Sequence, residues 1–331
     1  MNNEMKQTAG KAAGSGSKVT NVLSNVMLKY GIYLAFIVIF IVFSLSNESF
    51  LTPTNIRNII IQCAFIAVAG VGQTLVILTG GIDLSVSSLL SLTGVIMGFA
   101  AVSGMGLAAI IFIALILGVG VGATNGVLIG VLKMPPFVVT LGTQGICRGI
   151  ALVISQGSPF SQFPEGFGFL GGGYVGEFPV IIFAVIIVYL LAWVFTTRTR
   201  TGRYIYAIGG NREAARVSGV SVAKFEMIAY TLCGLIVAFA GILLTSRLNF
   251  ATPTAGDGYE LETIAAVVIG GTMMSGGSGN VLKTFIGALL LYTLKNGLTI
   301  NNVSSYYQNI VTGVVLVAAV FLDTLKNKKK I

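Results

Sequence analysis

The acidic residue Asp83 stands alone in a stretch of apolar and small residues that covers 74–92. It follows the pair Gly80-Gly81, where a helix is expected to break and restart. A carboxylate there can accept hydrogen bonds at the N-terminus of the restarting helix, with Ser85 as a neighbouring capping partner. It can also serve in a gate or solute path, because ionisable groups inside apolar segments often mark such functions. Capping is the leading interpretation, and the gate is the alternative.

Other polar side chains also interrupt the apolar runs. Such groups face the interior of a helix bundle, where they hydrogen-bond a neighbouring helix or contact a polar solute. Arg148 carries the highest cost of burial and is expected to pair with a carboxylate or with carbonyl groups at a helix end. The candidates for a translocation path or gate are Gln73, Thr74, Asp83, Ser85, Asn125, Gln144, Ser275 and Asn296.

Groups that could carry out covalent or metal chemistry are scarce. The sequence has no histidine, and its three cysteines lie singly inside apolar runs, which excludes His-based catalysis and disfavours a metal site. The stretch 275–284 resembles a phosphate-binding loop, but Leu282 rather than glycine precedes Lys283, so nucleotide binding is not expected. Glu260 and Glu262 are two residues apart and would not face each other on a helix. We therefore expect no catalytic residue and no metal.

The composition is typical of a membrane protein with several spans. Of the 331 residues, 55% are hydrophobic and 9% are charged, whereas soluble domains carry about 25% charged residues. The net charge of +9 comes from Lys and Arg in gaps between apolar runs and at both ends, as in loops on the cytoplasmic side of a membrane. This distribution argues against nucleic acid as a partner.

A helix needs about 20 apolar residues to cross a bilayer, and the sequence predicts about ten such helices. The third, eighth and ninth are rich in Gly and Ser. We therefore expect an all-α polytopic membrane protein with broken, glycine-rich helices. The predicted spans are 30–46, 56–79, 84–102, 106–132, 137–155, 179–197, 226–246, 260–274, 281–299 and 305–323.

The positions of Lys and Arg orient the predicted spans. The segment 1–29 is a flexible basic tail, and 326–331 is a second basic tail. With an even number of spans, both tails and the basic loop 198–226 lie on one side, which the positive charge marks as the cytoplasm. The region 30–325 is then a single transmembrane domain with both termini in the cytoplasm. The opposite side holds 156–178 and an acidic cluster.

Two short stretches are similar to each other, GGIDLSVSS at 80–88 and GGTMMSGGS at 270–278. The same offset brings spans one to four close to spans seven to ten. Six spans separate the copies, so both would have the same orientation, as in the parallel repeats of transporters. In each copy an apolar run ends at Gly-Gly and restarts, which fits a broken helix near a pore or gate, or a tight turn at the membrane surface. Met273 occupies the position equivalent to Asp83, so only one copy carries the charge.

The longest hydrophilic interior stretch contains the pattern E-A-A-x-x-x-G. Alanine and glutamate favour a short helix there, and the flanking glycines favour turns. A short amphipathic helix on a cytoplasmic loop is a natural docking element for a second protein, and a plain connector is the alternative. The residues of this coupling loop are Asn211, Arg212, Glu213, Ala214, Ala215 and Gly219.

Several long blocks occur in order along the chain. They are GQTLVILTGGIDLSVSSLLSLTG (72–94), GRYIYAIGGNREAARVSGV (202–220), YTLCGLIVAFAGILLTSRL (230–248), PTAGDGYELETIAAVVIGGT (253–272) and SSYYQ (304–308). Together they resemble the membrane permeases of carbohydrate ABC importers, and the likeness covers almost everything from about residue 30 onward. That family usually has glycine where Ser87 stands, a change between small residues that casts little doubt.

The resemblance implies a non-catalytic permease subunit of an importer for a monosaccharide, ribose or a related pentose or hexose. It implies no cofactor on this chain, because ATP and Mg would lie on an ATP-binding cassette partner that seats the coupling loop. Other expected partners are an extracytoplasmic sugar-binding protein, a second permease copy, with a homodimer favoured, and membrane lipids. The expected location is the bacterial cytoplasmic (inner) membrane. The candidates for docking the binding protein are Asp257, Tyr259, Glu260 and Glu262.

Two other classes of function are possible for a chain of this composition. A secondary transporter driven by protons or sodium would use Asp83 as its coupling carboxylate. Its topology is reasonable, but it does not account for the E-A-A-x-x-x-G pattern. A membrane-embedded enzyme lacks a plausible nucleophile and base.

Overall fold

The computed structural model describes residues 31–328, with side chains described up to Phe321. The predicted tail at 1–29 lies outside the described residues, as do the last three residues of the predicted tail at 326–331. The final helix runs through Lys328, so the beginning of that second tail is helical.

Helices account for most of the described chain. A 3-10 turn, Glu48–Leu51, joins the first two, and a π-helical segment, Val127–Val131, extends the fourth. The short strands β1 (Tyr174–Val175) and β2 (Phe178–Pro179) form an antiparallel hairpin. The helices are α1 (Gly31–Ser46), α2 (Pro53–Leu78), α3 (Val86–Val102), α4 (Leu107–Gly126), α5 (Pro136–Ser155), α6 (Phe169–Gly172), α7 (Val180–Arg198), α8 (Arg200–Gly210), α9 (Arg212–Val217), α10 (Val222–Leu248), α11 (Tyr259–Ile269), α12 (Val281–Ile300) and α13 (Ser305–Lys328).

The predicted all-α membrane architecture is confirmed. Each predicted span overlaps one helix of the described chain, namely α1 to α5, α7 and α10 to α13. Helices α2, α4 with its π-helical extension, α5, α7 and α10 are long and apolar enough to cross a membrane by length and composition. Helices α1 and α3 and the segment Ser305–Phe321 of α13 are apolar but shorter.

Helix α11 departs most from its predicted span. The hydropathy pattern predicted a span over 260–274, but the helix ends at Ile269 after 11 residues. At about 1.5 Å per residue it rises about 16 Å, roughly half the thickness of the hydrocarbon core. Gly270 and Gly271 end it, with Gly271 at φ +86°. The second copy of the sequence repeat therefore has a short helix where the first copy has the 26-residue α2.

Helices α2 and α10 lie at the centre of the bundle. Their interior positions are buried in the same core cluster, with Val71 in α2 and Val237 in α10 fully enclosed. Helix α4 lies against α10 through a row of glycines. A Cβ added at Gly118 would lie 2.4 Å from the Cβ of Ala238, so backbones approach too closely for any side chain. This row consists of Gly118, Gly122, Gly126 and Gly130, each of which lies close to the backbone of α10.

Candidate functional site

Asp83 lies in the break between α2 and α3, and its side chain is only 2% exposed. Its Oδ1 accepts hydrogen bonds from the backbone N–H of Ser85 (2.8 Å) and from the Ser85 hydroxyl (2.5 Å). The carboxylate therefore occupies the N-terminal end of α3, where free N–H groups favour negative charge. The Ser85 side chain makes no capping hydrogen bond of its own within the described chain, and its hydroxyl oxygen accepts from Nδ2 of Asn125 instead.

A directed chain of hydrogen bonds leads to this carboxylate from two other helices. The Thr143 hydroxyl of α5 donates to Oδ1 of Asn125 in α4 (2.6 Å), and Nδ2 of Asn125 donates to the Ser85 hydroxyl (3.1 Å). Among the ion pairs of the described residues, none includes Asp83. The carboxyl group is thus held by hydrogen bonds, in an arrangement that fixes α3, α4 and α5 relative to one another.

Side chains also satisfy the backbone of this first break. With its amide oriented to match donors and acceptors, Gln73 donates to the carbonyl of Asp83 (3.1 Å) and accepts from its N–H (3.3 Å). The carbonyl of Ile82 accepts from the Tyr230 hydroxyl (3.3 Å) and the Thr140 hydroxyl (3.4 Å). Irregular backbone at membrane depth needs such partners, so this break is a fixed element of the bundle.

The second break, between α11 and α12, touches the first. The N–H of Gly277 donates to the carbonyl of Leu78 at the end of α2 (3.0 Å). The end of α8 fits between them, since a Cβ added at Gly209 would lie 1.9 Å from that carbonyl and 2.3 Å from the nitrogen of Gly277. A Cβ at Gly276 would lie 2.7 Å from the nitrogen of Gly80. We call Gly80, Gly209, Gly276 and Gly277 the glycine junction.

The predicted short helix of the coupling loop is confirmed as α9, which follows directly on α8. Asn211 caps it by accepting a hydrogen bond from the N–H of Ala214 (2.9 Å). Gly219 provides the turn that ends it, at φ +84°, a conformation that favours glycine. On the exposed face, the Arg216 guanidinium hydrogen-bonds the Glu213 carboxylate and lowers its pKa.

A two-point ion pair ties α9 to the bundle. The Arg212 guanidinium contacts both carboxylate oxygens of Glu226 in the first turns of α10, at 2.5 and 2.8 Å. The Glu226 side chain is 3% exposed, whereas the Arg212 side chain is 56% exposed. Helix α9 is therefore anchored to α10 through a buried carboxylate, while the face of α9 that carries Glu213 remains exposed to solvent.

An open cavity of about 470 Å³ lies between α5 and the start of α11. Arg148 forms an ion pair with Asp257 and donates to the carbonyl of Pro253, so the expected pairing of this arginine is confirmed. Gln144 connects the cavity to α3 by donating to the Ser87 hydroxyl (3.3 Å). The residues that line this α5–α11 cavity are Leu141, Gln144, Gly145, Arg148, Asp257, Gly258 and Glu260.

Comparison with known proteins adds a decisive observation. The family described as the permease component of branched-chain amino acid transport systems matches residues 55–320. The chain belongs to this permease family. No solved structure shows a significant match to the permease.

Named relatives of the permease span nearly its whole length. The ribose import permease of Bacillus subtilis (strain 168) is 44% identical over 304 residues, which cover 91% of this chain and 94% of the relative. The D-allose transport system permease of Escherichia coli (strain K12) is 40% identical, with 91% and 93% covered. The galactose/methyl galactoside import permease of Salmonella typhimurium is 35% identical, with 91% and 95% covered. The resemblance to carbohydrate permeases is thereby confirmed.

The structure of the permease separates the predicted path residues into groups. The first break gathers Gln73, Asp83, Ser85 and Asn125 in one buried network, and Ser275 is exposed in the second break. Thr74 instead hydrogen-bonds Thr284 of α12 (2.8 Å), and Asn296 exchanges two amide hydrogen bonds with Asn55 (2.9 and 2.8 Å). These last two contacts join α2 to α12.

Three of the four predicted docking residues have some exposure, and one does not. Asp257 is exposed, Tyr259 and Glu260 are partly exposed, and Glu262 is only 8% exposed. Glu262 accepts a hydrogen bond from the Tyr292 hydroxyl (2.9 Å) and forms an ion pair with Lys295. Its carboxylate is enclosed between α11 and α12, which leaves little surface for a partner, and its role in docking stays a prediction.

Proposed function

We propose that this chain is the membrane permease subunit of an ATP-driven importer for a monosaccharide, with ribose or a related pentose or hexose as the substrate. The relatives that support this are named for ribose, allose and galactose, and their similarity extends over about nine-tenths of the chain. The highest identities among them belong to ribose permeases, which favours a sugar of the ribose type.

The observation that carries the ATP-driven mechanism is helix α9. It is short, capped at both ends and exposed along its Glu213 side, and Arg212 fixes its base to the buried Glu226. Such a helix can bind in a groove of an ATP-binding cassette subunit and move with that subunit as a rigid body, without unwinding. We assign coupling to Asn211, Arg212, Glu213, Ala214, Ala215 and Gly219.

The glycine junction can carry a movement of α9 into the helix bundle. Asn211 follows the last residue of α8, and the end of α8 packs directly on both helix breaks. Because the junction holds backbone against backbone, a displacement of α8 must displace Leu78 or Gly277. ATP and Mg would lie on the partner ATPase, and this chain would contribute movement rather than catalysis.

A second copy of the chain is the proposed neighbour of α5. In a membrane, the polar side chains of the α5–α11 cavity cannot face lipid at low cost. The same surface carries Gly142, Gly145 and Gly149, where an added Cβ would meet no atom of the described residues within 4 Å, so another helix could approach closely. We propose a homodimer in the bacterial inner membrane, surrounded by lipid, with both termini in the cytoplasm and a sugar-binding protein at the outer face near Asp257 and Glu260.

An ion-coupled transporter is the competing function. The observation that favours it is the buried Asp83, which forms no ion pair among the described residues. Its hydrogen bonds to Ser85 account for that charge as a helix cap. The two functions differ in what they require: an importer of the first kind needs two partner proteins and ATP, whereas the second needs an ion gradient alone.

The experiment is purification of the permease with its ATPase and binding protein, followed by assay of ATP hydrolysis with individual monosaccharides. We expect ribose or a closely related sugar, loaded on the binding protein, to stimulate hydrolysis. Glu213→Lys should abolish the stimulation, and Glu165→Gln, an exposed change far along the chain from the coupling loop, should not. Absence of stimulation by every monosaccharide would reject the proposed substrate class.

A further inference from the structure

Glu260, one of the residues that line the α5–α11 cavity, has a carboxylate oxygen that lacks a partner among the described residues. The Oε2 atom of Glu260 is buried and makes no hydrogen bond among the described residues. A buried polar atom of this kind is costly unless a donor reaches it. The cavity beside it is open and has both polar and apolar walls, so a bound molecule with a hydroxyl group could supply that donor once the carboxylate turns toward it.

The remaining wall offers complementary groups. Gln144 has an amide that can both donate and accept, and the Arg148 guanidinium has five N–H donors, of which the contacts with Pro253 and Asp257 use two. Gly145 and Gly258 leave room between these groups, and the exposed Leu141 provides an apolar surface. Convergent donors and acceptors beside an apolar patch match a sugar ring, which has hydroxyl groups at its edge and C–H groups on its faces.

The depth of the cavity places it on a route across the membrane. Gln144 lies eight residues after Pro136 and eleven before Ser155, so at 1.5 Å per residue it is about 12 Å from one end of α5 and about 16 Å from the other. Its hydrogen bond to Ser87 and the neighbouring bond from Thr143 to Asn125 join the cavity to the network around the first break. A solute in the cavity would therefore contact the elements that the glycine junction connects to α9.

We propose that the α5–α11 cavity is a contact site for hydroxyl groups of the transported monosaccharide, with Glu260 accepting hydrogen bonds and Gln144 and Arg148 donating them. This inference rests on the proposed function and extends it by placing sugar selectivity partly in the permease. The volume of about 470 Å³ falls within the range of small-molecule sites. Asp257 holds Arg148 against the wall from the other side.

The test uses the complete importer in liposomes, with ribose and its singly deoxygenated analogues as labelled probes. In Glu260→Gln we expect ribose uptake to fall on the order of tenfold, the loss of one hydrogen bond to a charged group. ATP hydrolysis stimulated by the loaded binding protein should persist. The ratio of ribose uptake to uptake of one deoxy analogue should be smaller in Glu260→Gln than in the unchanged chain. Both chains are assayed with the same binding protein, so its own selectivity cancels when the two ratios are compared. The matched control is Glu165→Gln, which removes an exposed carboxylate outside the cavity.

Several outcomes would overturn the site. Uptake by Glu260→Gln equal to that of the unchanged chain would do so, as would an equal loss for ribose and every analogue, which indicates a structural role. If Glu260→Gln does not fold, Gln144→Leu is measured in the same way and judged by the same criteria. Absence of ATP-dependent ribose uptake by the unchanged chain would instead reject the proposed function. That failure is distinguishable from failure of the site, because it is seen before any residue is substituted.

Discussion

The N–H of Gly277 donates a hydrogen bond to the carbonyl of Leu78 over 3.0 Å, which joins two helix breaks 199 residues apart in the sequence (277 minus 78). The two breaks belong to the two copies of the sequence repeat. Gly209, two residues before Asn211, the N-cap of α9, fits against both atoms of this bond. The bond therefore lies where the two halves of the bundle meet the coupling loop.

Replacing Gly209 tests the junction directly. In Gly209→Ala the new methyl group would overlap the carbonyl of Leu78, so the junction must open at a cost of about 1–3 kcal/mol. We expect sugar uptake to fall while the ATPase partner still binds, as measured by uptake and co-purification. Gly210→Ala is the matched control, because an added Cβ there meets no atom within 4 Å in the part of the chain that the structure describes. Equal effects of the two substitutions would contradict the role of the junction.

The anchor of α9 predicts a separation between stability and coupling. Arg212→Gln leaves the Glu226 carboxylate buried without its cation and should lower the free energy of unfolding by about 1–2 kcal/mol, a value reduced for the exposure of Arg212. Glu213→Lys changes only an exposed pair and should leave the melting temperature unchanged. Both should abolish uptake. Melting curves of the purified chain, compared with uptake assays, check this pattern, and normal uptake in both variants would remove the coupling assignment.

Asp83→Asn distinguishes a cap from a gate. The amide oxygen can still accept from the N–H of Ser85, but the charge at the start of α3 is lost, which should cost about 1–2 kcal/mol. We expect a lower melting temperature and a lower yield, with normal uptake per folded molecule. Normal yield with lost uptake would show that the carboxylate acts in the gate or in ion coupling.

The buried pair between Glu262 and Lys295 predicts a stability effect at the contact of α11 with α12. Lys295→Met removes the cation beside Glu262 and leaves the carboxylate with its hydrogen bond from the Tyr292 hydroxyl. This change should lower the free energy of unfolding by about 2–4 kcal/mol. Adding Glu262→Gln should restore part of the loss, since the uncompensated charge is then removed. Thermal unfolding of the single and double variants measures this coupling, and strictly additive losses would contradict it.

Local sequence signals were sufficient for the helices of the predicted spans and for α9, whereas α6 and α8 were not predicted. Hydropathy located the spans, and Gly80 and Gly271 marked breaks because each adopts a positive φ. The pattern Glu213-Ala214-Ala215 with Gly219 located the short helix α9, since its cap and its terminal turn lie within a few residues. The end of α11 was predicted too late, because small and apolar residues continue beyond Gly270 without forming a helix.

Partners distant in the sequence could not be assigned in advance. Asp83 was recognised, but Thr143 and Asn125 reach it through helix packing that hydropathy does not encode. Lys295 gave a usable signal, since a lysine inside an apolar helix requires a carboxylate partner. That partner is Glu262, which the sequence placed at the surface because its neighbours there are acidic and polar.

The most direct measurement of the central claim is sugar uptake into liposomes that contain the permease alone or with its ATPase, in the presence of the binding protein. The account predicts that labelled ribose accumulates only when the ATPase, ATP and the loaded binding protein are all present, and that ionophores leave the uptake unchanged. Accumulation by the permease alone on a proton or sodium gradient, lost in Asp83→Asn, would contradict it.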